Sequence, residues 1–184
     1  RVAVHFHPAQ VVSFGLALNA AAFVVLACLG GHHDVVIILI FIVLGTGIGI
    51  AQTISNDLML SSVPPRKAGA ASAISETSYE MGAVLGTVII GGMLTAIYRG
   101  NVAIPAGLDE TLADHAHETL GGAVAVASNV GGEQANQLLS SAFAAFDSGV
   151  VVSSAFSAVL MGVMAVISYF MIRKAPREMK PAEH

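Results

Sequence analysis

Two glutamates, Glu76 and Glu80, stand four residues apart in the stretch Ala70-Ala71-Ser72-Ala73-Ile74-Ser75-Glu76-Thr77-Ser78-Tyr79-Glu80-Met81-Gly82. At that spacing two carboxyls share one face of a helix. There they can bind a cation or trade it for protons. The surroundings are small and apolar, and a charged side chain at the centre of a bilayer costs at least about 2.5 kcal/mol. A glutamate kept in such a place faces water, a partner or a function. The structural alternative is a hydrogen bond or ion pair to another helix.

The element that must position them is a helix with two unlike sides. At 100° per residue, Gly69, Ser72, Glu76, Glu80, Ala83, Thr87 and Gly91 fall within an arc of about 100°. The opposite side carries Ala71, Ile74, Met81, Leu85 and Ile89, with Ser78 among them. Glu76 lies roughly 10 Å in from the start of the helix, and Glu80 nearer its middle. Tyr79 borders the polar stripe, where it can stack on an organic cation or simply pack. Gly82 and Gly86, off to one side, are spaced to let a neighbouring helix approach closely.

A second, uncharged stripe precedes it: Gly45, Gly49, Gln52 and Asn56 share a helix face. Gln52 and Asn56 either line a cavity or bond across to a neighbouring helix, with the second reading ahead. Asp57 follows at the end of that segment, solvated or paired with a basic loop. Further upstream Asn19 is the strongly polar residue of an apolar run, suited equally to packing and to a cavity. The run Gly45-Thr46-Gly47-Ile48-Gly49 lacks the strand, spacing and acidic residue of a nucleotide-binding loop.

Composition decides what surrounds these stripes. Of 184 residues, 55% are hydrophobic and 11% charged, whereas soluble domains carry about 25% charged residues. Four segments reach the roughly 20 apolar residues that cross a bilayer core: 9–29, 35–60, 68–98 and 149–172. Charges, glycines or the Pro64-Pro65 pair bound each of them, and two adjacent prolines cannot continue a helix. Barrel strands would show short alternating segments instead. The fold class expected is an all-α integral membrane protein.

Orientation follows from lysine and arginine. In a four-span arrangement Arg1, Arg66, Lys67, Arg173, Lys174, Arg177 and Lys180 fall on one side, and Arg99 alone on the other. The basic side is expected to be cytoplasmic, with both ends of the piece and the tail 173–184 there. Residues 99–148 then lie outside. Within them Ala135, Leu138, Leu139, Ala142, Phe143 and Phe146 repeat at helical spacing, and Leu108, Leu112, Ala116, Leu120 and Val124 form a weaker stripe. With a turn at Ser128-Asn129-Val130-Gly131-Gly132, this predicts an extracellular helical hairpin, either a lid or a packing element.

Other chemistry finds no support. His5 and His7, His32 and His33, and His115 and His117 show no helix-face ligand spacing, so no metal and no cofactor are expected. The single Cys28 excludes an internal disulfide and reads as a small buried residue. No nucleophile–base arrangement and no basic, aromatic nucleic-acid surface is present, so the chain is not expected to be an enzyme. It opens on Arg1 and reads as the downstream part of a longer polypeptide.

The stretch from Ser62 to Gly82, with Val63-Pro64-Pro65-Arg66-Lys67 leading through small residues to Glu76 and Glu80, resembles a known family. It is similar to the loop and penultimate helix of the 14-helix drug:proton antiporters of the major facilitator superfamily. The bacterial exporters of quaternary ammonium compounds and cationic dyes are the nearest match. The resemblance implies that the four spans are the last four helices, completed by amino-terminal helices of the same transporter. It implies residence in the bacterial cytoplasmic membrane and lipophilic cationic drugs or dyes and protons as partners. Glu76 and Glu80 match acidic positions tied there to cation recognition and proton coupling. Some relatives carry an extra acid beside Glu76, where this chain has Ser75. The function implied is proton-coupled multidrug export. A uniporter or metabolite carrier of the same fold, and a non-transporting membrane assembly protein, are the alternatives.

Overall fold

The computed structural model describes residues 7–29 and 34–173, without the side chain of Asp34. Arg1, His5, His32, His33 and the tail 174–184, with Lys174, Arg177 and Lys180, lie outside the described residues. Six α-helices follow one another: α1 (Pro8–Leu29), α2 (Asp34–Ser61), α3 (Ala68–Asn101), α4 (Glu110–Glu118), α5 (Leu120–Val130) and α6 (Gly132–Arg173). The described residues contain no strand. Four helices, α1, α2, α3 and α6, are long and apolar enough to cross a membrane. The chain is an all-α membrane protein.

The turn between α2 and α3 follows from its prolines. Pro64 is extended (φ −60°, ψ 148°), and Pro65 opens a single 3₁₀ turn, Pro65–Lys67, that leads directly into α3. The Leu58 carbonyl accepts from the Ser62 N–H at 3.1 Å and from the Ser62 hydroxyl at 2.6 Å, which closes the last turn of α2.

Small residues set how the helices meet. Gly15 of α1 and Gly47 of α2 are both buried, and a Cβ on either would come within 2.7 Å of the other's carbonyl oxygen. The two backbones touch because neither residue has a side chain, which is how apolar helices gain dispersion contacts where lipid removes the hydrophobic drive. The most extensive helix pairing is α1 with α6. Along its apolar part α6 buries Gly149, Ser153, Ser154, Ser157, Ala158 and Ala165, all small. Gly149 also marks the crossing with α3, where a Cβ would lie 3.1 Å from the Leu94 carbonyl oxygen. Gly82 and Gly86 make no such approach: nothing among the described residues lies within 4 Å of a Cβ built at either.

Beyond the spans, α4, α5 and the first part of α6 form a cap with its own core. Ala116, Ala123, Val126, Ala127, Leu138 and Ala142 are buried together with Tyr98 at the end of α3. Gly131 (φ 66°) separates α5 from α6, and Gly132, also at φ 66°, opens α6. Ser128, Asn129 and Val130 remain in α5. The stripe over 108–124 is not one helix. Thr119 is extended (φ −150°, ψ 155°) and its Oγ1 accepts from the Gly122 N–H at 3.0 Å, ending α4 and capping α5. The stripe over 135–146 and the apolar segment 149–172 belong to one helix of 42 residues. Such a helix is about 63 Å long, twice the roughly 30 Å of a bilayer core.

Candidate functional site

Helices α2 and α3 touch only sparsely after the turn that joins them. Between them lies an open cavity of about 340 Å³. From α2 it is lined by Gly49, Gln52, Thr53, Asn56 and Asp57, and from α3 by Ser72, Glu76 and Tyr79. The polar faces of the two helices therefore meet, as the spacing of each one permits. Steps of three and four residues keep Gly49, Gln52 and Asn56, and Ser72 and Glu76, on the cavity side.

Of the residues singled out by sequence, the structure brings together Glu76, Tyr79, Ser72, Gln52 and Asn56. Glu80 and Thr87 are exposed on α3 and do not line this cavity. The reason is angular: Glu80 is turned about 40° from Glu76, away from Tyr79, and sits about 6 Å further along the axis. Thr87 also spends its hydroxyl proton on its own helix, donating to the Ala83 carbonyl at 2.8 Å. Thr53 does the same toward Gly49 at 2.8 Å, so its hydroxyl can only accept from a ligand in the cavity.

Asn19 belongs to a different place. It is 2% exposed, beside Gly47 at the α1–α2 contact, where a Cβ on Gly47 would overlap its amide oxygen. Among the described residues that oxygen has no hydrogen-bond partner, and neither have the buried hydroxyls of Ser13, Ser75 and Ser153. Ser75, 3% exposed, thus points into packing rather than into the cavity. Cys28 is exposed rather than buried, because it lies near the end of α1 on a side that no described helix covers.

Asp57 is the residue that sequence reasoning assigned elsewhere. It lines the cavity with Glu76 and has no ion-pair partner among the described residues. The signal was present in its neighbours. Asp57 lies four residues from Thr53, about 40° round α2, which carries the lined face on to it. No group of three or more histidine, cysteine, aspartate or glutamate side chains is placed to hold a metal among the described residues. What the cavity offers is two carboxylates, two amides and an aromatic ring, a set suited to a polar or cationic organic molecule. Its volume is at the lower end of the about 300–1,000 Å³ usual for such sites.

No protein-family model matches the chain. It is 44% identical over 168 residues to the multidrug efflux pump LfrA of Mycolicibacterium smegmatis, covering 91% of this chain and 33% of that protein. It is 34% identical over 136 residues to the methyl viologen resistance protein SmvA of Salmonella typhimurium, covering 73% of this chain and 27% of that protein. None of these relatives is an enzyme. The chain is thus similar along most of its length to drug efflux proteins, and spans between a quarter and a third of the length of these relatives.

Proposed function

We propose that this chain is the carboxyl-terminal part of a proton-coupled exporter of lipophilic organic cations, a 14-helix antiporter of the major facilitator superfamily. The observation that carries the reading is the α2–α3 cavity, where Glu76 meets Tyr79, Gln52 and Asn56 between two apolar helices. Membrane-embedded carboxylates beside a cavity belong to substrate or proton pathways by default, and transporters of this kind bind between helices near the midplane. Similarity to a multidrug efflux pump and to a methyl viologen resistance protein supports the same substrate class.

In this reading the α2–α3 turn, with Arg66 and Lys67, faces the cytoplasm of a bacterium, and the cap of α4, α5 and early α6 lies outside. Glu76 is the carboxylate that a cation meets in the cavity. Glu80, one turn along α3, is the second proton-carrying group. A cation entering from the inside displaces protons from these carboxyls. When they are reprotonated from the outside the counter-charge disappears and the cation leaves. Competition for the same groups is sufficient for coupling, since linkage makes it reciprocal.

The test is proton release on adding a cationic dye to the complete purified protein in weak buffer, comparing wild type with Glu76→Gln and Glu80→Gln. Release lost in either variant assigns the exchange to that carboxyl. Undiminished release in both refutes the assignment to α3.

A further inference from the structure

We infer that residues 102–108 form a strap that binds the cap end of α3 to α6, so that the cap is a clamp held closed throughout transport and not a lid. Its consequence for transport rests on the export reading and deepens it. The strap leaves α3 at Val102, whose backbone is extended (φ −69°, ψ 125°), and Val102, Ile104 and Leu108 pack into the cap core. Two side chains of α6 take up its backbone. The Ala103 N–H donates to Ser141 Oγ at 2.7 Å, and Gln134 Nε2 donates to the Ala106 carbonyl at 3.2 Å. Gln134 and Ser141 are seven residues apart, which places them about two turns apart on one face of α6.

The reach of the strap matches these anchors. Two turns of α6 rise about 10.5 Å, and the step from Ala103 to Ala106 covers at most about 10–11 Å when extended. The strap therefore has little slack. Ile104 precedes Pro105, which keeps it extended, and Gly107 (φ 92°) turns the chain after the second anchor. Because Ala103 meets Ser141 and Ala106 meets Gln134, the strap runs antiparallel to α6, and α3 cannot draw back toward Ala68 without breaking a bond. Two more contacts hold the same end of α3. The buried Tyr98 hydroxyl donates to the Ala116 carbonyl at 2.8 Å, and α6 crosses α3 at Gly149 against Leu94. A cover that swings open has to part the strap from α6. With the strap closed, α3 and α6 move together, and the change that opens or shuts the cavity falls to α2 against α3, which touch only sparsely.

The test joins and cuts the strap in the complete protein, with Cys28 and any other native cysteine replaced by serine. Ala103→Cys and Ser141→Cys are linked by a short bis-methanethiosulfonate reagent and released by reductant. In proteoliposomes under a pH gradient, the linked protein is expected to export ethidium at the wild-type rate, and reduction to lower that rate. Export that stops on linking and returns on reduction overturns the inference, since the cap is then a lid. A pair that cannot be linked overturns it too, as does equal export by linked, reduced and cut proteins, because the strap then carries no load. The cut protein, Ser141→Ala with Gln134→Ala, is expected to exchange the amide hydrogens of residues 103–108 about fivefold faster, with α1 and α2 unchanged. Unchanged exchange there shows that the two side chains do not hold the strap, and overturns the inference while leaving the export reading intact. Wild type that exports no ethidium refutes the export reading, and with it the clamp's part in transport.

Discussion

The contact between α1 and α2 predicts that Gly47→Ala is damaging although the change adds one methyl group. A Cβ at Gly47 overlaps the Asn19 amide oxygen and comes 2.7 Å from the carbonyl oxygen of Gly15. Carbon–oxygen contacts settle at about 3.3–3.6 Å, so the helices must part by roughly 0.6–0.9 Å at this point. The Asn19 side chain has no open space to swing into, being 2% exposed, and the Gly15 carbonyl is held by its own helix. Overpacking of this kind costs about 1–3 kcal/mol, offset by about 1 kcal/mol of helix propensity gained on replacing glycine. The net expectation is a loss of up to about 2 kcal/mol, or a melting temperature lower by up to about 8 °C at 2–4 °C per kcal/mol. The control is Gly45→Ala, where a Cβ meets nothing within 4 Å, and which should melt no lower than wild type. Thermal unfolding in detergent, read by near-ultraviolet circular dichroism, measures all three proteins. Adding Asn19→Ala to Gly47→Ala should recover only part of the loss, because the Gly15 oxygen stays in place. Gly47→Ala melting at or above wild type, or Gly45→Ala falling as far, would refute the backbone contact.

Two further outcomes concern the cap. Gly122→Ala should separate α4 from α5, since its Cβ overlaps the His115 carbonyl oxygen, whereas Gly121→Ala, 4.0 Å from the nearest side-chain atom, should be silent; protease resistance of residues 107–131 reports both. Tyr98→Phe removes the hydroxyl that donates at 2.8 Å to the Ala116 carbonyl, one of the free acceptors in the last turn of α4. It should cost about 1–3 kcal/mol, seen as faster hydrogen exchange in α4 with the exchange of α1 and α2 unchanged.

Much of this architecture is written in local pattern. Four apolar runs of spanning length and the Pro64-Pro65 break are properties of neighbouring residues, and the structure carries four helices long and apolar enough to cross a membrane, with a 3₁₀ turn at Pro65–Lys67. The cap was less legible. Residues 108–124 carry one hydrophobic stripe, but Thr119 competes for the backbone with its own side chain and splits the stripe into α4 and α5. Helical spacing cannot reveal this, because an N-cap interrupts hydrogen bonds without disturbing the apolar period. The continuity of α6 from Gly132 to Arg173 was hidden for the opposite reason. A change from mixed to apolar composition at residue 149 does not by itself end a helix.

By itself, the sequence determined the class of the protein, the course of its spans and the presence of carboxyls on a polar helix face, because burial of apolar length and 3.6-residue periodicity are local demands. Which polar residues meet was decided only by tertiary structure. Glu76 gains Tyr79, Gln52, Asn56 and Asp57 as neighbours in one cavity, while Glu80 on the same stripe does not, and Asn19 is enclosed against a glycine of the next helix. A helical wheel gives angles about one axis. A site needs two axes, and their separation and relative rotation are set by where backbones can touch, at Gly15 with Gly47 and at Gly149 with Leu94, which no single helix specifies.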